Sequence, residues 1–274
     1  MPAPALRSSV PLSLEGKGVL ITGGSRGIGA AAVRLFHQAG ARVAFNYRTA
    51  RAAAESLAKE IGEDCIAIEQ DLSSAEQGRA LIGKVVAEFG RIDILIANHG
   101  VWPPDDTPIA GMREEQWRTT LAVNLDSVFG LTQASVAQML RQERSEPEIP
   151  DVPPPAAGHI VFVSSTAGQR GEAKHADYAA SKGAIISLTK SLSSELAPQG
   201  ISVNCVAPGW VETDMSAPAL NDPATCARVF SGIPQGRVAR PMEIAGPILF
   251  LCTPYAGFIS GEILNVNGGA VLAG

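Results

Sequence analysis

No apolar run in this 274-residue sequence reaches the roughly 18 to 20 residues that a bilayer-spanning helix requires, because Arg, Glu, Gly or Pro interrupts each one. A membrane partner is therefore not expected. Basic residues are fewer than acidic ones, 22 against 27, and both signs are scattered along the chain. The net charge of −5 offers no electrostatic footprint for nucleic acid or an anionic surface, which leaves small molecules as the expected partners. Cysteine is confined to Cys65, Cys205, Cys226 and Cys252, widely spaced and without a CxxC pair. That excludes a zinc knuckle or dithiol redox motif and points to core packing for most of them. His37, His99, His159 and His175 lack HExxH-like spacing, so no metal site is expected. The N-terminal stretch carries three prolines in place of the continuous apolar core of a signal peptide, so residues 1–13 read as a flexible tail on a cytoplasmic protein.

What is present is a hydrophobic content of 46%, enough for one large domain over residues 14–274. Short runs rich in Val and Ile alternate with amphipathic segments, the pattern of a doubly wound α/β sheet. Strands are predicted at residues 18–22, 42–47, 65–68, 92–97, 159–163, 201–206 and 263–266. Helices are predicted at residues 27–38, 50–61, 75–89, 114–141, 178–196 and 241–251, the first ended by Gly40. The fold class is thus α/β, with about seven parallel strands and helices on both faces. Residues 142–158 break the pattern with a run of prolines and read as a surface insertion, and no internal repeat is present.

Two constellations carry chemistry. Directly after the first strand comes Thr22-Gly23-Gly24-Ser25-Arg26-Gly27-Ile28-Gly29, leading into a helix. Such glycines permit a tight turn and bring backbone amides against a pyrophosphate at a helix N-terminus. The second strand ends Phe45-Asn46-Tyr47-Arg48, with no acid to bind the ribose hydroxyls of NAD. Arg48 and Arg26 offer guanidinium donors to a 2′-phosphate, so NADP(H) is favoured and NAD(H) is the alternative. The less favoured reading makes both arginines ordinary solvated surface residues.

The other constellation is Tyr178-Ala179-Ala180-Ser181-Lys182, which sets Tyr178 and Lys182 one turn apart on a helix face. Spacing alone would make this pair surface decoration, but Ser164 and Ser165 stand upstream at the end of an apolar strand, where doubly wound sheets bind ligands. A neighbouring ammonium and an oxidised nicotinamide should bring the Tyr178 pKa down from about 10 toward neutrality.

The TGxxxGxG spacing, and Ser165 thirteen residues before Tyr178, resemble the short-chain dehydrogenase/reductase family from Leu14 to the C-terminus. The resemblance implies a single-domain Rossmann fold and a catalytic set of Ser165, Tyr178, Lys182 and Asn124. Ser164 is the runner-up to Ser165, with capping of the following turn as its other role. Asn124 could in addition kink or cap its helix.

The resemblance also places Asp71 and Leu72 on the adenine, Asn98 and Gly100 at the adenosine-side turn, and Pro208, Gly209, Val211 and Thr213 at the nicotinamide, alongside Gly23, Ser25, Gly27, Ile28 and Gly29 on the phosphates. His99 departs from the family's Asn-Ala-Gly motif and puts the local packing in doubt. Residues 214–235 are the expected substrate loop. Trp102 and Trp210 are expected to line the cleft, and Trp117 to lie in the core.

The implied reaction moves a hydride between the nicotinamide and a carbonyl or secondary alcohol. The similarity is closest to the 3-oxoacyl-carrier-protein reductase branch, whose relatives also reduce other ketones, sugars and steroids, and it implies a homotetramer. A non-catalytic NADP-binding sensor or scaffold is the alternative from another class, and loss of Tyr178 or Lys182 would have favoured it. A methyltransferase on a similar sheet would leave the Ser, Tyr and Lys set without a purpose.

Overall fold

In the computed structural model, residues 12–143 and 156–273 are described. Most of the N-terminal tail and residues 144–155 of the proline-rich insertion lie outside them. The first half alternates β1 (Gly18–Ile21), α1 (Gly27–Gln38), β2 (Arg42–Tyr47), α2 (Arg51–Ile61), β3 (Cys65–Glu69), α3 (Ala75–Phe89) and β4 (Ile94–Ala97). Then come α4 (Glu114–Leu121), a π-helical turn (Ala122–Asp126) and α5 (Ser127–Met139). The chain continues through β5 (Gly158–Val163), α6 (Thr166–Arg170), α7 (Ala176–Leu196) and β6 (Ile201–Pro208). Two short helices, α8 (Ala217–Leu220) and α9 (Pro223–Ser231), precede α10 (Pro241–Phe250) and β7 (Ile263–Val266).

The seven strands form one parallel sheet in the order β3-β2-β1-β4-β5-β6-β7. β1 and β4 are neighbours although three strands apart in the chain, so their connections leave in opposite directions and open a crevice at the strands' carboxyl ends. β1 and β4 read GVLI and ILIA with every residue buried, as helices on both faces require. One face packs Val33, Phe36, Phe45, Ile248 and Leu249, and the other packs Leu81, Val85, Leu131, Phe162 and Ile185.

Among the departures from the sequence reading are two element boundaries and one burial. β4 starts at Ile94 rather than at residue 92, because Gln142 claims the Ile92 backbone. Its Nε2 donates to Ile92 O at 2.8 Å, and its Oε1 accepts the Ile92 N–H at 3.2 Å. The helix expected over residues 114–141 is divided by the π turn around Asn124. Trp117, expected in the core, is only half-buried on α4.

The layer behind β4 rests on a close crossing of α3 and α5. A Cβ added at Gly130 would stand 2.0 Å from Ala75 O, and one at Gly78 would stand 2.4 Å from Ser127 O. Backbone cannot yield as a flexible side chain can, so any larger residue forces the helices apart. Gly130→Ala is expected to destabilise the protein by about 1–3 kcal/mol in urea unfolding. Gly83→Ala, in the middle of α3 with open space around it, should instead gain up to about 1 kcal/mol. Equal effects from the two would refute the crossing.

Candidate active site

The glycine-rich loop is held where β1, β2 and β4 end. Asn98 Nδ2 donates to Thr22 O at 2.9 Å and to Gly23 O at 3.4 Å. Asn46, buried at the end of β2, accepts the Gly23 N–H at 2.8 Å through Oδ1 and donates through Nδ2 to Gln70 O at 3.0 Å. The helix start packs so close to the loop that a Cβ on Gly29 would lie 2.1 Å from Gly23 O. α1 has no side-chain cap and no acid in its first turn, so its leading amides are left to face an anion.

A cavity of about 550 Å³ runs from this loop to Tyr178. Of the residues singled out in the sequence, Gly23, Ser25, Arg26, Gly27, Ile28, Arg48, Asp71, Leu72, Asn98 and Gly100 line its first part. Ser165, Tyr178, Lys182, Pro208, Gly209, Val211 and Thr213 line the rest. Gly29 and Asn124 do not reach the wall. Gly29 supports the loop from behind, and Asn124 sits one layer back, where its Oδ1 accepts the Val101 N–H at 2.8 Å. Its Nδ2 donates to Val101 O at 3.0 Å and to Ser181 Oγ at 3.1 Å. A Cβ on Gly100 would meet Asn124 Oδ1 at 3.2 Å and Lys182 Nζ at 3.3 Å, so the two side chains flank the same point. Arg48 is exposed and has no ion pair among the described residues. Arg26 meets Asp214 at 3.2 Å, with both side chains largely in solvent, where such a pair is worth little.

At the other end, Ser165 caps α6 by accepting the Ala167 N–H at 3.1 Å, and it lines the same end of the cavity as the Tyr178 phenol. Ser164 is buried, and its hydroxyl is used on Lys182 O at 2.8 Å. Lys182 Nζ donates to Val163 O at 2.9 Å and lies 5.9 Å from the centre of the Tyr178 ring.

Lys182 by itself does not supply the lowering of the phenol pKa expected from it together with an oxidised nicotinamide. Burial pushes Tyr178 up to about 12, Ser165 opposes the rise, and the Glu172 charge adds to it. The ammonium points at the Val163 carbonyl rather than at the phenol, and burial takes Lys182 itself down to about 8.

Trp102 stacks on His175 with ring centres 4.8 Å apart and meets Trp210 edge-on at 6.2 Å, giving the cleft its aromatic wall. Glu172, also in that wall, has its pKa raised by burial. The anchoring role of Asp177 was not anticipated. It is fully buried and accepts from Thr120 Oγ1 at 2.7 Å and Gln116 Nε2 at 3.2 Å, which ties the residue before Tyr178 to α4. In the sequence it looks like any first-turn acid. Asn46 was likewise missed, although an Asn in a buried strand could have flagged it, since buried amides need partners.

A family model described as enoyl-(acyl carrier protein) reductase matches residues 23–271. The 3-oxoacyl-[acyl-carrier-protein] reductase of Vibrio cholerae is 37% identical over 258 residues, covering 94% of this chain and 98% of that protein. The 3-ketoacyl-(acyl-carrier-protein) reductase of Brucella melitensis, solved in complex with NADH, superposes with a TM-score of 0.83 at 31% identity, covering 95% of this chain and 100% of that one. A short chain dehydrogenase from Burkholderia cenocepacia in complex with NADP gives 0.82 at 31% identity, covering 94% and 98%. In sequence, in sheet topology and in the placing of its glycine loop beside a Ser, Tyr and Lys cluster, the chain belongs to the short-chain dehydrogenase/reductase family.

Proposed function

We propose that this oxidoreductase reduces the keto group of a 3-oxoacyl thioester, or of a ketone of similar shape, at the expense of NADPH. The observation that carries the reading is the Tyr178 phenol. It sits with Ser165 at one end of a cavity whose other end is an anion-ready helix N-terminus. The relatives' names point to the thioester. The aromatic wall of Trp102 and Trp210 offers an apolar surface to an acyl chain.

The residues present fit a dinucleotide phosphate. Uncapped α1 amides suit the pyrophosphate. β2 ends in Tyr47 with no carboxylate of its own, and Glu69 beside it on β3 is engaged by Tyr47 and Arg51. Arg48, exposed and without an ion pair among the described residues, can meet a 2′-phosphate. When bound, the nicotinamide supplies the hydride. The chain's own residues do the rest. Tyr178, protonated at neutral pH, donates its proton to the carbonyl oxygen as general acid. Ser165 hydrogen-bonds that oxygen and stabilises its developing charge. Lys182 would hold the ribose of the bound cofactor, and Asn124 would hold a water that returns the proton to Tyr178 through Lys182. Residues 14–274 act as one catalytic domain, with residues 214–235 as the substrate loop. A cytoplasmic homotetramer accords with the family resemblance, and the exposed Leu272 of the C-terminal segment is available to a subunit contact.

NADPH oxidation over a carbonyl panel that includes an acetoacetyl thioester tests the reading. Tyr178→Phe should lower turnover by about 10²- to 10⁴-fold while NADPH still binds. Turnover retained in that variant would refute Tyr178 as the acid. Arg48→Ala should cut kcat/KM for NADPH by about tenfold and leave NADH unchanged, as loss of one charge-assisted bond implies. Equal losses with both cofactors would count against a 2′-phosphate contact. Because the Lys182 pKa lies near 8 and the phenol's near 12, reductive kcat/KM should fall as pH rises through about 8, where Lys182 loses its charge. A profile flat to about pH 10 would mean that this charge is not needed.

A further inference from the structure

His99 stands where the family resemblance calls for a small residue, and its ring is engaged at both nitrogens. Nδ1 lies 2.7 Å from Thr22 Oγ1 at the end of β1. Nε2 lies 2.7 Å from Ser127 Oγ and 3.1 Å from Val123 O. Val123 lies within the π turn that carries Asn124, and Ser127 directly follows that turn. The Ser127 hydroxyl donates in turn to Val123 O at 2.7 Å.

The hydrogen-bond accounting allows one consistent arrangement. Thr22 Oγ1 already accepts the N–H groups of Asn98 at 3.0 Å and His99 at 3.2 Å, so its own proton is the one available to the ring. The alternative acceptor for that proton, Ile96 O, is farther away at 3.3 Å. Nδ1 therefore accepts from Thr22, and Nε2–H donates to Ser127, whose own proton is spent on Val123 O. A neutral imidazole with its proton on Nε2 satisfies every member, whereas an imidazolium would set two donors against Thr22. Burial, with Lys182 adding to it, holds the ring near pKa 3, so it stays neutral across the working range. The backbone reinforces the link, since a Cβ on Gly23 would come within 3.1 Å of His99 Cα.

We infer that His99 is a positioning residue whose imidazole bolts the Asn124 turn to the end of β1, so that the polar relay and the cofactor loop keep one register. An alanine here would leave the Thr22 and Ser127 hydroxyls facing each other across a gap. The catalytic consequence rests on the oxidoreductase reading above, but the bolt itself does not.

The test is a pair of double-mutant cycles on the full-length protein. His99→Ala should lower kcat for NADPH-dependent ketone reduction by about tenfold with the ketone KM changed less than about twofold. In an Asn124→Ala background the same change should cost less than about twofold, because its effect passes through Asn124. Losses that multiply would overturn the inference, since a general packing role would act equally in both backgrounds. Ser127→Ala removes one end of the bridge and should show the same dependence on Asn124, which serves if His99→Ala does not fold. The second cycle, His99→Ala with Ser127→Ala in urea unfolding, needs no turnover. A non-additive result there supports the bolt even if no carbonyl is reduced, in which case the oxidoreductase reading alone fails. Additive unfolding effects would overturn it.

Discussion

The site depends on one close approach, that of the glycine-rich loop to the ends of β1, β2 and β4. With 2.1 Å between a Cβ at Gly29 and the Gly23 carbonyl, only glycine lets α1 begin where it does. Two asparagines then tie the loop to its neighbours, Asn98 from β4 and Asn46 from β2. This meeting of three strand ends lies at the switch point of the sheet, and there it sets helix amides beside the strand carboxyl ends from which Ser165 and Pro208 follow. The reacting cluster has its own anchors. Ser164 and Val163 at the end of β5 hold the backbone and the ammonium of Lys182, which fixes α7 against the sheet.

Electrostatically the cluster works by burial rather than by charge pairing. Tyr178 is raised and Lys182 lowered for the same reason, removal of each charged form from water. A protonated phenol suits a general acid for reduction. Its partner Ser165 opposes the rise, whereas the carboxylate of Glu172 nearby adds to it. Glu172 thus lies in the cavity wall with Trp102 and Trp210 and also shapes the field at the phenol.

Much of the fold was legible because buried parallel strands must be continuously apolar, and β1 and β4 are. The glycine loop and the Tyr178 and Lys182 pair were legible because their spacing is local. What escaped was non-local. Gln142 shortening β4, the π turn at Asn124 and the Asn46 tie all depend on side chains meeting backbone about 23 to 50 residues away in the chain. His99 was noticed as a departure, but the partners that explain it lie in two other elements. The lowered phenol pKa was expected from the sequence proximity of Lys182 together with an oxidised nicotinamide. Helical spacing places two residues on one face but does not say where the ammonium points, and here it points at the Val163 carbonyl.

The central claim is hydride transfer to a carbonyl carbon at the Tyr178 end of the cavity. It is tested most directly by running the reaction with NADPH deuterated at the nicotinamide C4 position that is transferred, and locating the label in the product of an acetoacetyl thioester by mass spectrometry and NMR. The account predicts one deuterium on the new carbinol carbon. Product formed without that label, or label found only in the oxidised cofactor, would contradict it.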